Sequence, residues 1–259
     1  MSIAYLMRGN NIKVIIDFHT FVAEQTPFND IVDKIVVHVP CSDSMTAPKY
    51  QTVKLPTVSF PYRDKKELRE ELKITSNHIV ATFGFIVPHK GILETMQAIR
   101  KVKEKFNDIL YIVIGTGDLN YLKNLLAERD RLGMNDNVIF FSAFYTIDRV
   151  GSLLQLSDVT CLFYTHSLPF SSSGPVRICL ASHRPLIISD VPIFFEFSDC
   201  VMKTPLNDIN TLAEKIVQLL SDDSLQQELV KKGDEYIKTI SPESIAKQYE
   251  DIYNELSNY

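Results

Sequence analysis

Long apolar runs constrain the fold of this 259-residue chain more than any other feature. The segments IVATFGFI (79–86), ILYIVIG (109–115) and PLIISD (185–190) are rich in Ile, Val and Phe and show little alternation with polar residues. Strands with such sequences are covered on both faces, which is typical of parallel sheets between layers of helices. Further strand candidates are residues 12–18, 34–39, 52–59, 137–143 and 158–164.

Amphipathic segments separate these runs and predict helices. Residues 91–106 place Ile92, Met96 and Ile99 on one stripe, with basic side chains opposite. The last helix is predicted to begin with Ser241 as its cap and Pro242 at its first position. The other predicted helices are 119–132, 147–156, 175–183 and 209–220.

The order of these elements predicts the fold class. Strands and helices alternate from about residue 79 to 200, which indicates a doubly wound α/β unit around a parallel sheet, similar to a Rossmann domain. Residues 61–78 are polar and predict a linker. Residues 1–60 contain strand candidates but are too few for a complete second domain, so they predict a partial α/β segment.

Composition excludes some classes of function. The chain is 45% hydrophobic, and 27 basic against 32 acidic residues give a net charge of −5. Without a basic excess, broad binding to a nucleic-acid backbone is disfavoured, although a local basic cluster could still hold a small phosphorylated ligand.

The cysteines and the apolar runs bear on location. Cys41, Cys161, Cys179 and Cys200 are widely spaced and predict reduced thiols, with no metal site. No run approaches the roughly 20 apolar residues that span a bilayer, and the start lacks the pattern of a signal peptide. We therefore expect a soluble cytoplasmic protein, which leaves peripheral contact with a membrane surface open.

The loop after the strand at 79–86 is the first candidate site. In an open parallel sheet, ligands bind beyond the carboxyl ends of the strands. Gly84, Phe85, Lys90 and Gly91 lie there, and a lysine beside a helix start suits a phosphate group. The alternative is an ordinary turn with Lys90 in solvent.

Three more strand ends carry candidate residues. Gly115 and Gly117 either let the backbone approach a ligand closely or form only a tight turn. The serine run that includes Ser172 and Ser173 precedes Gly174 and Arg177, and either binds an anion or caps a helix, with Arg177 directed to the anion or to solvent.

His19, at the end of the first strand, is the remaining candidate for a catalytic group. A single histidine in such a place is more often a packed or surface residue than a catalyst.

Taken in order, these segments resemble the group 1 retaining glycosyltransferases with the two-domain GT-B architecture. The resemblance rests on TFGFIVPHKGILETMQAI, YIVIGTGD, the stretch 137–164, SSGPVRICLASHRPLIISDVPIFFE and the closing SPESIAKQYEDIYNEL. It implies that residues 79–259 form the domain that binds a nucleotide sugar, and that residues 1–60 belong to the acceptor side.

The resemblance also assigns roles to the candidate residues. Lys90 matches the lysine that contacts the donor diphosphate, and the Gly115–Gly117 loop matches a turn beside the nucleotide. Ser173 and Gly174 match the helix start that holds the distal phosphate, and His19 matches the histidine that faces the transferred sugar. The resemblance implies a nucleoside-diphosphate sugar as donor substrate and no separate cofactor.

Three departures from the family pattern leave more than one function open. Phe85 occupies the usual place of an arginine, Phe170 and Ile178 stand where two glutamates are expected, and the acceptor domain is largely absent. The first reading is a hexosyltransferase whose acceptor is a glycan, a lipid or a protein and which can need a partner chain or self-association. The second is an inactive nucleotide-sugar-binding or scaffold subunit. A sugar-nucleotide epimerase or a phosphorylase is a weaker third, since fold alone does not separate these chemistries.

Overall fold

The computed structural model describes residues 13–18, 32–38, 49–166 and 172–257. The strands in these ranges are β1 Ile15–Phe18, β2 Lys34–Val37, β3 Tyr50–Thr52, β4 His78–Phe83, β5 Ile109–Ile114, β6 Val138–Phe141, β7 Val159–Leu162, β8 Leu186–Ser189 and β9 Met202–Thr204. The helices are α1 Lys65–Leu72, α2 Ile92–Val102, α3 Leu119–Arg131, α4 Ile147–Gln155, α5 Gly174–Ala181, α6 Ile209–Ser221, α7 Asp223–Thr239 and α8 Pro242–Ser257.

The larger sheet is parallel throughout and has the order β6-β5-β4-β7-β8-β9. The chain first builds outward from β4 to β6 and then returns to build the other half from β7. The order therefore reverses between β4 and β7, and this reversal is where open α/β sheets bind their ligands. The expected doubly wound, Rossmann-like fold is confirmed.

The continuous apolar strands are buried on both faces. Every residue of β5, β7 and β8 is buried, and helices α2 and α6 contribute Met96, Ile99 and Ile216 to the same core. A strand without polar alternation needs cover on both sides, because its apolar side chains point in both directions. This burial is what fixes the loops at the carboxyl edge of the sheet.

The smaller unit is a three-stranded parallel sheet of order β1-β2-β3 together with helix α8. Val36 and Val53 pack with Ile245 and Ile252 of α8 in one buried cluster. The side chain of Ser241 accepts a hydrogen bond from the Ser244 amide at 3.1 Å, which confirms Ser241 as the cap of this helix.

The two compact units divide the chain differently from the sequence-based domains. One unit comprises Met1–Thr57, Leu168–Gly174 and Lys238–Tyr259, and the other comprises Val58–Ser167 and Pro175–Ile237. Helix α8, which the sequence assigned to the domain 79–259, therefore belongs to the smaller unit. Its apolar stripe, predicted correctly, packs on β2 and the residue after β3 because those strands supply the complementary apolar face.

Some elements depart from the sequence-based expectations. The predicted linker 61–78 contains helix α1, which Asp64 caps by accepting from the amides of Lys66 and Glu67. The strand predicted at 52–59 is wrong for residues 53–59, because the strand there is the short β3, Tyr50–Thr52, and β9 and α7 were not predicted. None of the helices in the described ranges is long and apolar enough to cross a membrane.

Candidate active site

The loops after β4 and β5 run side by side at the carboxyl edge of the larger sheet. The Gly84 amide donates to the carbonyl of Ile114 at 3.0 Å, and the Ile86 amide donates to the carbonyl of Thr116 at 2.9 Å. A Cβ on Gly115 would lie 1.9 Å from the Gly84 carbonyl oxygen, so a side chain there would collide with the backbone.

Gly117 is constrained in the same way, since a Cβ there would lie 2.1 Å from the carbonyl oxygen of Ile86. The two glycines thus permit close packing between two loops of the protein. This contact accounts for both glycines without a ligand, and their proximity to a nucleotide stays a prediction.

Lys90 ends a short 3₁₀ turn, Pro88–Lys90, that leads into helix α2. Gly91 follows with φ +60°, and a Cβ on it would lie 1.8 Å from the carbonyl oxygen of Phe163. The Thr165 amide donates to the carbonyl of His89 at 3.0 Å. These backbone contacts hold the turn against the segment that follows β7, so Lys90 lies at the reversal of strand order.

The Lys90 side chain contacts Tyr164, the second residue after β7. Its Nζ donates a hydrogen bond to the Tyr164 hydroxyl and lies 3.9 Å from the centre of the tyrosine ring. Tyr164 is 1% exposed, so the lysine head is drawn into the protein. The alternative in which Lys90 is an ordinary solvated side chain does not match this geometry.

The electrostatics of Lys90 are those of a partly desolvated cation. Burial lowers the pKa of Lys90 from 10.5 to about 8. In the described part of the chain, no carboxylate pairs with it. Burial also lowers the pKa of the neighbouring His89, and the charges of Lys90 and His166 add to that effect. At neutral pH the Lys90 ammonium is therefore the positive charge of this turn, and among the described residues no carboxylate offsets it.

The start of helix α5 lies beside the Lys90 loop. A Cβ on Gly84 would lie 3.8 Å from Cγ of Pro175, the second residue of the helix. The amides in the first turn of a helix have no partner within the helix and carry partial positive charge. Because Pro175 has no amide hydrogen, the first-turn donors beyond it are Val176 and Arg177. The Lys90 loop and the start of helix α5 therefore lie at the same edge of the sheet.

Ser172, Ser173 and Gly174 precede this turn. Ser173 is buried and Ser172 half-buried, and both have further interactions within the protein. These three residues group with the smaller unit, and their contact with a phosphate stays a prediction.

Arg177 was expected to meet an anion or to face solvent, and the structure corrects that expectation. Its side chain is 2% exposed and donates to Glu196 Oε1 at 2.5 Å, and its guanidinium lies 5.2 Å from the ring centre of Phe197. A buried guanidinium needs a carboxylate to offset its desolvation, and Glu196 supplies it. The Arg177 charge is thus already paired inside the protein.

Two expected site positions fall elsewhere. Phe85 is 65% exposed, so the place of the missing arginine carries an aromatic side chain on the surface. Ile178 is half-buried on α5. His19 and Phe170 lie outside the described residues.

Sequence reasoning missed Tyr164 and Glu196. Tyr164 ends the apolar stretch 158–164 and is typical of a strand interior, so nothing marked its hydroxyl as a partner of a lysine. Glu196 interrupts the aromatic string IFFEF, and a lone carboxylate in an apolar string is the signal that could have predicted a buried ion pair.

A family model now decides the classification of the chain. The model described as glycosyl transferases group 1 matches residues 77–222, which is more than half of the chain. The chain belongs to this family. The match covers β4 to α6 and therefore the sheet edge that carries Lys90 and Tyr164.

A curated relative agrees with this assignment. The phosphatidyl-myo-inositol mannosyltransferase of Mycobacterium leprae (strain TN) is 24% identical over 172 residues, which cover 64% of this group 1 chain and 43% of the mannosyltransferase. The chain thus spans less than half the length of that curated relative.

Solved structures of other proteins share the fold. Anabaena Alr3699/HepE in complex with UDP superposes with a TM-score of 0.80 at 15% identity, covering 99% of this chain and 75% of that one. The C-terminal domain of a group 1 glycosyltransferase (LpcC) from Francisella tularensis has a TM-score of 0.61 at 20% identity, covering 70% of this chain and 95% of that domain. The parallel-sheet fold is therefore that of GT-B glycosyltransferases.

Proposed function

We propose that this group 1 chain transfers a hexose from a nucleoside-diphosphate sugar to an acceptor, as a retaining, family 4-like enzyme that needs no metal ion. The observation that carries the proposal is Lys90. A half-buried ammonium without a carboxylate partner among the described residues, at the reversal of strand order, suits an anionic ligand. The family match, the mannosyltransferase relative and the UDP bound to Alr3699/HepE support a nucleotide-sugar donor.

The chemistry of transfer explains why a lysine belongs there. When the bond between the anomeric carbon and the diphosphate oxygen breaks, the sugar becomes oxocarbenium-like and the leaving nucleoside diphosphate gains negative charge. Lys90 and the first-turn amides of α5 would stabilise this charge through fixed dipoles and one full positive charge. His19 is proposed to face the transferred sugar, and Ser172 to Gly174 to meet the distal phosphate.

The domain roles are part of the same proposal. Residues 79–259 would supply the donor-binding domain, and residues 1–60 would supply part of the acceptor side. The rest of the acceptor site would come from a partner chain, a second copy or further residues of the same protein.

A second candidate function is an inactive subunit that binds nucleotide sugars. Exposed Phe85 in place of an arginine, and Ile178 in place of a glutamate, favour it, because both changes remove charge from the expected donor site. Turnover, not donor binding, separates the two functions.

Donor binding is tested with UDP, GDP, ADP and TDP in a thermal-unfolding series. A ligand at 100 times its dissociation constant stabilises the folded state by about 2.7 kcal/mol, so one of the four should raise the melting temperature by several degrees. Lys90→Met should weaken the binding of that nucleotide at least tenfold, since a hydrogen bond to a charged group contributes about 1.5–3 kcal/mol.

The matched control for that series is Lys103→Met. Lys103 is a half-buried lysine of the same unit whose Nζ donates to a neutral acceptor, Asn137 Oδ1, at 2.7 Å. Its replacement should leave the nucleotide shift intact. A chain that responds to none of the four nucleotides would contradict the proposal.

Turnover is tested by release of nucleotide from UDP- and GDP-linked hexoses, with and without candidate partner proteins. Release that Lys90→Met abolishes supports the transferase. Nucleotide binding without release in any combination favours the inactive subunit.

A further inference from the structure

Tyr164 connects the two halves of the larger sheet. Lys90 follows β4, Tyr164 follows β7, and these strands are neighbours although they belong to different halves of the fold. The contact between the two side chains therefore spans the reversal of strand order, at the edge where ligands of such sheets bind.

Both parts of the Tyr164 side chain favour a charged lysine. The ring centre lies 3.9 Å from the Lys90 Nζ, within the range of a cation–π interaction. The hydroxyl oxygen accepts a hydrogen bond from the same Nζ. A protonated amine is attracted to the ring and donates a charged hydrogen bond to the hydroxyl, whereas a neutral amine loses the attraction to the ring and the charge on its donated hydrogen bond.

Tyr164 is itself held rigidly. Its ring packs against Phe194 with 4.6 Å between ring centres and meets His89 edge-on at 5.8 Å. Its carbonyl accepts a hydrogen bond from the Ser189 hydroxyl at 2.8 Å. Phe194 lies in the 3₁₀ segment Pro192–Phe197, which also carries Glu196, the partner of Arg177. A fixed ring of this kind can keep a flexible lysine in one place.

The contact leaves part of the lysine head unused. An ammonium group has three N–H donors, and the hydroxyl of Tyr164 accepts one of them. Within the described residues, no second acceptor takes either of the others, and the only cause that shifts the pKa of Lys90 is burial. Two donors of the ammonium thus have no acceptor among the described residues, and they suit the oxygen atoms of a ligand.

We propose that Tyr164 is a positioning residue, which holds the Lys90 ammonium in place and keeps it charged for an anionic diphosphate. It acts through Lys90 and not on the sugar. This inference rests on the proposed donor-binding function, so its test includes one measurement that needs no nucleotide.

The first test is the protonation of Lys90 in Tyr164→Phe without any ligand. Competitive acetylation with trace acetic anhydride, read for the peptide that contains Lys90 by mass spectrometry, reports its pKa from neutral to alkaline pH. The variant keeps the ring and the burial but loses the acceptor, so we expect the pKa to fall by about one unit. Among the described residues, the titratable groups that face Lys90 are His89 and Tyr164, and His166 lies near His89.

The second test is the affinity for UDP or whichever nucleotide binds the wild type. Tyr164→Phe should weaken binding about tenfold near neutral pH and move the alkaline loss of affinity to lower pH by about one unit. The control is Tyr111→Phe, which removes the hydroxyl of another buried tyrosine, bonded to Thr82 at 2.8 Å. It should change neither the affinity nor its pH profile.

The outcomes separate the two proposals. An unchanged Lys90 pKa in Tyr164→Phe overturns the role of Tyr164, whatever nucleotides do. A lowered pKa in a protein that binds no nucleotide supports the contact and contradicts the donor-binding function. Equal loss of affinity in Tyr111→Phe and Tyr164→Phe would mean a general packing effect and would also overturn the inference.

Discussion

Two cations of the larger unit, the buried Arg177 and the half-buried Lys90, differ in their partners. Arg177, 2% exposed, has the carboxylate of Glu196, which is itself 7% exposed. Lys90 has a tyrosine and, in the described ranges, no carboxylate. A desolvated cation that has a carboxylate partner is compensated within the folded protein. A desolvated cation that has only neutral partners destabilises the folded state until an anion binds to it. The comparison shows that Arg177 is part of the folded architecture, and it supports the proposal that Lys90 meets an anionic ligand.

Removing the paired cation, Arg177, should have the largest effect on stability. Arg177→Met leaves Glu196 buried and uncompensated, and we expect the free energy of unfolding to fall by about 3–5 kcal/mol. Urea unfolding followed by circular dichroism measures it. The double variant Arg177→Met/Glu196→Leu removes both charges and should recover most of the loss. A single variant as stable as the wild type would contradict the structural role of the pair.

Removing the unpaired cation, Lys90, should change the free energy of unfolding in the opposite direction. Lys90→Met removes a desolvated charge, so in the absence of nucleotide the variant should be more stable than the wild type by roughly 1–2 kcal/mol at neutral pH, after discounting for solvent screening. Urea unfolding measures this difference, with Lys103→Met as the control that should not gain stability. A clear loss of stability in Lys90→Met would mean that Lys90 is structural.

The pH dependence of that difference has a defined sign. The pKa of Lys90 is about 8 in the folded protein against 10.5 as the ordinary value, so the unfolded chain binds more protons between these values. Wild-type stability should therefore rise relative to Lys90→Met as the pH rises through that window, and the penalty is fully present below about pH 8. A difference that does not change across the window would contradict the burial of a charged lysine.

The sequence allowed the architecture to be predicted where periodicity was strong. Strands β4, β5, β7 and β8 are continuous apolar segments, and helices α2 and α3 have helical periodicity, so these elements were predicted from the sequence. Helix α7 was missed because it buries little, with Leu229 and Gly233 as its buried residues, and an internal glycine disfavours a helix. A glycine at position 233 fits because the helix packs closely there: a Cβ on it would lie 3.2 Å from Leu180. This tertiary contact cannot be predicted from the local sequence pattern.

The candidate site was predictable only in part for the same reason. Lys90 follows an apolar strand and precedes a helix, and such a position is visible in the sequence. Its contact with Tyr164 depends on β4 and β7 being neighbours, which follows from strand order and not from spacing along the chain. The pairing of Arg177 with Glu196 likewise joins a helix to a turn beyond the next strand.

Adding a second cation near Lys90 should have the smallest effect, which is a modest gain in nucleotide affinity. It tests whether the ligand lies near Lys90. Phe85 is 65% exposed on the loop that leads to Lys90, so Phe85→Arg places a charge there without disturbing the core. An exposed charge contributes about 0.2–1 kcal/mol, so nucleotide affinity should rise up to about fivefold at low salt and return towards the wild-type value as salt is added.

The control is Tyr62→Arg, at another exposed aromatic position just before α1, which should leave the affinity unchanged. Isothermal titration at two salt concentrations measures both variants. An equal gain in both would mean that net charge alone attracts the nucleotide. A gain confined to Phe85→Arg would mean that the ligand lies at the Lys90 edge, because screened charges act only over about 10 Å at moderate salt.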